Sequence, residues 1–289
     1  MKIHCIATDM DGTLLNSKQK VSEANKRAIM EAKEKGIQVI VATGRSYSEA
    51  RFPLDEAEIE CPIICVNGAE IRDEKGGITH TTGMDSAISA EVANKLRDKG
   101  IYFEVYTNQG TYTEDYEKGI DIIIDIFQSS NPQVSEHKIR EAAKERFSKG
   151  HISVIEDYEQ IFHESSMIIY KFLAFSFDDD ALSSAKELLD QVEGIAVSSS
   201  GRENLEITNV HAQKGIALEQ FTKEQGLDMS KTMAIGDNFN DLSMMKKVGR
   251  PVAMGNAAEG IKEFCEFHSA TNEEDGVAKA IFEVLKINV

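Results

Sequence analysis

The stretch Ile3-His4-Cys5-Ile6-Ala7-Thr8-Asp9-Met10-Asp11-Gly12-Thr13 sets two carboxylates one residue apart, directly after a short apolar run. Burying charge is costly unless a metal or a partner compensates, so the pair is either a solvated turn or the centre of a site. The run from Ile3 to Ala7 has almost no polar interruption, the pattern of a strand covered on both faces in a parallel sheet. Residues 22–36 then read as a helix: Ser22 suits its cap, Ala28, Ile29 and Ala32 share one face, and Gly36 suits its end. Residues 37–42 and 62–66 give a second and a third apolar strand. Strand, helix and strand in that order imply right-handed crossovers and an α/β, doubly wound parallel sheet.

Towards the C-terminus the rhythm returns, with helices expected over 214–225, 241–247 and 275–285 and strands over 232–235 and 251–254. Residues 1–83 and 210–289 therefore form one α/β core, and residues 84–209 an inserted α+β domain. Within the insertion, residues 101–106 and 168–175 read as strands, and 86–99, 135–149 and 179–192 as helices. The run Asp178-Asp179-Asp180 opens the last of these, where carboxylates sit well against the helix dipole.

Composition narrows the function. With 32 Lys and Arg against 49 Asp and Glu, the formal charge of -17 repels nucleic acid and anionic membrane, so neither is an expected partner. The 289 residues are 41% hydrophobic and 28% charged, ordinary values for a chain that buries a core. Cys5, Cys61, Cys65 and Cys265 lack C-x-x-C spacing and read as buried free thiols in a reducing compartment. Too few apolar residues precede Asp9 for a signal peptide, and no apolar run approaches a membrane span, so a soluble cytoplasmic protein is expected.

In open parallel sheets, ligands bind beyond the carboxyl ends of the strands. Asp9, Thr43 and Asp237 each fall just past such an end. Asp9 and Asp11 can approach one small volume, and Asp237-Asn238-Phe239-Asn240-Asp241 brings further oxygens, a donor set suited to Mg²⁺ with a substrate phosphate. Thr43-Gly44-Arg45 offers a hydroxyl, an open amide and a helix start, and Lys214 an ammonium, all complementary to a phosphoryl group. Taken singly, each has an ordinary reading as turn, cap or surface lysine. Falling together on one sheet edge sets them apart from those ordinary readings.

These residues resemble the four motifs of the haloacid dehalogenase superfamily, in particular its Cof-like phosphatases with a type IIB cap. Asp9 to Leu15 is similar to the first motif, Thr43-Gly44-Arg45 to the second, Lys214-Gly215 to the third, and Gly236 to Asp241 to the fourth. Asn67-Gly68-Ala69, Met254-Gly255-Asn256-Ala257 and Asp275-Gly276-Val277 also match the subfamily's pattern. The resemblance implies a Rossmann-like core whose insertion is a substrate-selecting cap. It implies Asp9 as nucleophile, Asp11 as general acid and base, and Mg²⁺ held by Asp9, the Asp11 carbonyl and Asp237, with Asp241 supporting from behind. Thr43, Gly44, Lys214, Asn240 and the Met10 amide would contact the phosphate, with Arg45 as a further helper.

The leading expectation is thus a Mg²⁺-dependent phosphatase acting on small phosphorylated metabolites, sugar phosphates or phosphorylated cofactors, through an aspartyl-phosphate. Two alternatives stand beside it. A phosphotransferase or phosphomutase would pass the phosphoryl group to a second hydroxyl instead of water. A receiver-like signalling phospho-acceptor would need neither a second Asp two residues on nor a large insertion. The physiological substrate and the oligomeric state are not written in the motifs.

Overall fold

The computed structural model describes residues 2–130, 135–137, 139–141, 144, 152–199 and 202–287. Along the chain come β1 (Cys5–Thr8), β2 (Gln38–Ala42), β3 (Ile63–Cys65), β4 (Glu70–Arg72) and β5 (Ile78–Thr81), then β6 (Tyr102–Thr107), β7 (Gly110–Thr113), β8 (Ile152–Val154), β9 (Ile169–Phe175), β10 (Ile195–Ser198) and β11 (Asn204–Asn209), and finally β12 (Thr232–Gly236), β13 (Arg250–Ala253) and β14 (Phe267–His268). The chain divides into two compact units, residues 1–82 with 211–289, and residues 83–210.

In the first unit the sheet order is β14-β13-β12-β1-β2-β3-β4-β5. All pairs from β14 to β3 are parallel, as the apolar runs imply. Every residue of β1 is buried, and Cys5 aligns with Thr232 of β12 on one side and Gln38 of β2 on the other. Side chains of β1, β2, β3, β4 and β12 pack with Ala217, Leu218, Phe221 and Met244 into one apolar cluster. The helix Glu23–Glu34 starts where expected, its Ser22 hydroxyl accepting the Asn25 N–H at 3.1 Å. From β1 the chain winds outward to β2 and β3, and later to the other side through β12, β13 and β14. The order therefore reverses between β1 and β12, and a crevice at such a switch point is where ligands bind.

Three details differ from the sequence reading of this unit. β4 and β5 form an antiparallel extension of the sheet, unread because they are short and half of the hairpin is exposed polar sequence. The helix expected over 241–247 spans only Leu242–Met245, because a tight turn, Phe239–Asp241, precedes it. The last helix begins at Gly276, since Asp275 takes φ 59° and turns the chain instead of continuing it.

The second unit holds a sheet of order β10-β11-β9-β6-β7-β8, antiparallel except between β7 and β8. One face carries Phe103, Val105, Phe172, Ala174, Leu205 and Ile207, packed against the helices Ser86–Asp98 and Asp179–Leu189. Only β6 and β9 stand out as strands in the sequence; the others are short or polar, so alternation gives them away weakly. The Asp178 carboxylate caps its helix, accepting the N–H groups of Asp180 at 3.0 Å and Ala181 at 3.1 Å. Most of the helix expected over 135–149 lies outside the described residues. Among the described residues no helix is long and apolar enough to cross a membrane. All four cysteines are buried, and burial pushes the thiols of Cys5 and Cys61 up to about 12.

Candidate active site

Asp9 is the last residue tied into the sheet, its N–H donating to the Ile235 carbonyl of β12 at 2.9 Å. Beyond it the chain closes a wide turn over Met10–Leu14, with the Leu14 N–H reaching the Asp9 carbonyl and the Leu15 N–H the Met10 carbonyl at 2.9 Å. Gly12, at φ 73°, makes that turn possible, and a Cβ there would stand 2.5 Å from Asp237 Oδ2. Both the conformation and the contact call for glycine.

The turn separates the two carboxylates that the sequence places side by side. Asp9 points inward and is 5% exposed, while Asp11 is exposed and forms a two-pronged pair with Arg45, at 2.8 Å to Nε and 2.5 Å to the terminal nitrogen. Gln19 accepts a further bond from the same guanidinium. The sequence marks Arg45 only as a helper, and its pairing with Asp11 carries no signal there beyond opposite charge.

Lys214, the first residue of the helix Lys214–Glu224, is fully buried. Its ammonium lies 2.6 Å from Asp9 Oδ1 and 2.7 Å from Asp241 Oδ1. The other oxygen of Asp241 accepts the N–H groups of Asp237 at 2.9 Å and Asn238 at 3.1 Å. Asp241 is thus fully committed to holding Lys214 and the loop after β12. Asp237 accepts the Thr13 hydroxyl at 2.9 Å, an anchor that the sequence reading did not assign.

Glycines allow this crowding. A Cβ on Gly236 would meet Asp241 Oδ2 at 2.4 Å, and one on Gly215 would meet the Ser243 carbonyl at 2.0 Å. Burial, together with the charge of Asp241, pushes the Asp9 carboxyl well above its ordinary range. The same two causes push Asp237 up to about 6. Burial opposes the charge of Lys214, but Asp241 and Asp9 more than offset it and hold the ammonium above its usual range.

The oxygens of Asp9, Asp237 and Asp241 can come within 4.8 Å of one another. Carboxylates gathered this closely repel one another, and a proton or a cation among them relieves that repulsion. A hard divalent ion with several oxygen ligands does so, and the residues present fit Mg²⁺.

On the next strand, Thr43 is buried; its N–H donates to the Ile64 carbonyl at 2.8 Å and its hydroxyl accepts the Arg45 N–H at 3.1 Å. Gly44 follows, with Asn67 Oδ1 3.1 Å from where a Cβ would stand. Asn67 also accepts from the Asn240 carboxamide at 3.4 Å, joining the loops that carry Gly44 and Asn240. This asparagine sits on a strained turn, with Val66 at φ 49° and Asn67 at φ 57°. A β-branched residue at positive φ is a genuine outlier of the kind found around sites. Met10, expected to contribute its amide, buries its side chain fully beneath the turn.

A family model of haloacid dehalogenase-like hydrolases matches residues 6–281. The phosphatase YwtE of Bacillus subtilis, named for 5-amino-6-(5-phospho-D-ribitylamino)uracil, is 38% identical over 97% of this chain and 98% of its own. The phosphatase YwpJ of the same organism is 33% identical over 97% of this chain and 99% of its own. A solved haloacid dehalogenase-like hydrolase from B. subtilis superposes with a TM-score of 0.86 at 33% identity, over 97% of this chain and 99% of that one. The chain belongs to the haloacid dehalogenase-like hydrolases and is a phosphoric monoester hydrolase.

Proposed function

We propose that this chain is a Mg²⁺-dependent phosphatase that works through a phosphoryl group carried on Asp9. The observation that carries the reading is the buried ammonium of Lys214, held at 2.6 Å from Asp9 Oδ1 and backed by Asp241. Such a contact favours the ionised form of Asp9 against its burial, aligns the carboxylate, and places positive charge where a transferring phosphoryl group gathers negative charge.

Asp9 attacks phosphorus in line, a bond forms from its carboxylate oxygen, and the bond from phosphorus to the leaving oxygen breaks. Asp11 donates a proton to that oxygen and the alcohol departs. Water then attacks the phosphorus of the aspartyl-phosphate, Asp11 takes its proton, and phosphate leaves with Asp9 restored. For both transfers Asp11 exchanges its Arg45 partner for the reacting oxygen, a rotation that its exposed position allows. Thr43, the Gly44 and Met10 amides, Lys214 and Asn240 bind the phosphoryl oxygens.

Asp9, Asp237 and the Asp11 carbonyl would hold Mg²⁺, with Asp241 behind them. When bound, the ion offsets the charge of the carboxylates and of the phosphoryl oxygens. Residues 84–209 select the leaving group. The substrate class is a phosphorylated sugar, sugar alcohol or cofactor precursor, a reading supported by the ribityl phosphate named for YwtE.

A screen of such phosphomonoesters with Mg²⁺ and with a chelator tests the proposal. Release of phosphate only with the metal is expected. No release from any phosphomonoester would overturn it, and transfer to added alcohols in place of water would favour a transferase.

A further inference from the structure

The wide turn that divides Asp9 from Asp11 ends on the carbonyls of Asp9 and Met10, so the carbonyls further along need donors from elsewhere. Three asparagines from other segments supply them. Asn256 Nδ2 donates to the Gly12 carbonyl at 2.8 Å, Asn25 Nδ2 to that of Leu14 at 3.2 Å, and Asn272 Nδ2 to that of Leu15 at 3.0 Å.

Two of these carboxamides are engaged at their oxygen as well. Asn256 Oδ1 accepts the Asn272 N–H at 3.0 Å, which makes one relay from Gly12 through Asn256 and Asn272 to Leu15. Asn25 Oδ1 accepts the Ala278 N–H at 2.9 Å. Both oxygen and nitrogen of Asn25 and Asn256 thus have partners, which fixes which way each amide faces. Ser22 adds a bond to Asp275 at 2.6 Å, and the Ser17 N–H one to Glu273 at 2.5 Å, both from the segment after the turn to the region near the C-terminus.

We infer that Asn256 and Asn272, with Asn25 beneath them, are positioning residues that hold the turn from Gly12 to Leu15 and thereby set where Asp11 stands relative to Asp9. They touch no reacting atom. A single turn with wide hydrogen bonds and a left-handed glycine has little stiffness of its own, and the Asp11 backbone is one residue from the Gly12 carbonyl that Asn256 holds. The relay ties that carbonyl to the loops after β13 and β14, on the far side of β1 from Arg45. Asp11 must exchange Arg45 for a substrate oxygen without its backbone drifting, and a clamp on the carbonyl side supplies that.

The inference rests on Asp11 being the general acid of the proposed function. The test compares Asn256→Ala, Asn256→Asp and Asn272→Ala with the unaltered full chain, on an alkyl phosphate and on an aryl phosphate with a good leaving group. Asn256→Asp keeps the size and the acceptor for the Asn272 N–H but cannot donate to Gly12. A poor leaving group depends on the proton from Asp11, and an activated one does not.

For each variant kcat on the alkyl phosphate should fall by about 10–100-fold, the scale of an ångström-size displacement. The fall on the aryl phosphate should be several-fold smaller, with KM for both nearly unchanged and the Tm within a few degrees. The double variant Asn256→Ala with Asn272→Ala should lose less than the product of the single losses, because both break one relay. Equal losses on both substrates that track a falling Tm would overturn the inference and leave the asparagines as fold glue, as would unchanged kcat. Asp9→Asn serves as the reference: if it still turns over, the proposed function itself fails, whereas an inert Asp9→Asn beside fully active Asn256 variants removes only the positioning role.

Discussion

Each unit buries a lysine among carboxylates, and the two do so in different settings. In the α/β unit Lys214 stands beyond the ends of parallel strands, at 2.6 and 2.7 Å from Asp9 and Asp241, in space left open by glycines. In the inserted unit Lys171 stands in the middle of β9, 3.8 Å from Glu206 of β11 and 4.7 Å above the ring of Tyr106 on β6. Glu104 lies on the same polar sheet face, accepting the hydroxyls of Tyr102 at 3.3 Å and Tyr106 at 3.5 Å. Tight contacts at loop ends can be rearranged around a ligand without breaking a ladder. Cross-strand contacts at mid-sheet are fixed by the pairing of the strands, as in any sheet with a polar face. Buried charge alone therefore does not mark the reacting centre; its place at a switch point does.

Replacing the two lysines should separate these roles most sharply. Lys214→Met leaves Asp9 and Asp241 buried without their cation, so kcat should fall by at least about 10²–10³-fold. Stability should fall by about 3–5 kcal/mol, the usual penalty for breaking a buried pair. Lys171→Met should also destabilise, yet leave kcat on a small aryl phosphate within about threefold, since so small a leaving group offers the inserted unit little to select. Denaturant melts and steady-state kinetics on both variants check this, and an equal loss of turnover would erase the contrast.

Metal and pH give the next effect. The carboxyls of Asp9 and Asp237 are raised in the folded chain, so the stability they lend is full below the ordinary carboxylate range. It is lost as pH rises through the folded value, about 6 for Asp237. A cation takes over the role of the lost proton. The rise in Tm on adding Mg²⁺ should therefore be small well below pH 6 and grow through it, and chelation should abolish turnover until Mg²⁺ is restored. A Tm gain independent of pH would detach the metal from these carboxyls.

The smallest effect comes from glycine pairs. Gly12 (φ 73°) and Gly110 (φ 135°) both take left-handed conformations, so alanine at either costs about 1–2 kcal/mol of backbone strain. Only at Gly12 would the new Cβ meet Asp237, at 2.5 Å, whereas nothing lies within 4 Å at Gly110. Gly12→Ala should raise the Mg²⁺ concentration for half-maximal activity by about tenfold. Gly110→Ala should leave it unchanged, as titration of activity with Mg²⁺ would show.

What was legible follows the same division. The parallel sheet could be read because its strands are continuous apolar runs, and because Asp9, Thr43 and Asp237 each follow one, their chemistry could be read with them. The wedge of Lys214 between Asp9 and Asp241 could not, since it joins residues from three separate segments. Thr13 on Asp237, Asn67 on its strained turn and the asparagine relay share that obstacle: amides and hydroxyls bond to whatever folding brings near. The inserted unit was the least legible. Its outer strands β8 and β10 run only three and four residues, too short for alternation to mark them.

The central claim is that Asp9 carries the phosphoryl group. Rapid acid quench during turnover, followed by mass mapping of the peptides, tests it most directly. The account predicts a phosphoryl adduct on the peptide bearing Asp9, labile to hydroxylamine, enriched in Asp11→Asn and absent from Asp9→Asn. An adduct on any other residue, or phosphate released by Asp9→Asn at the unaltered rate, would contradict it.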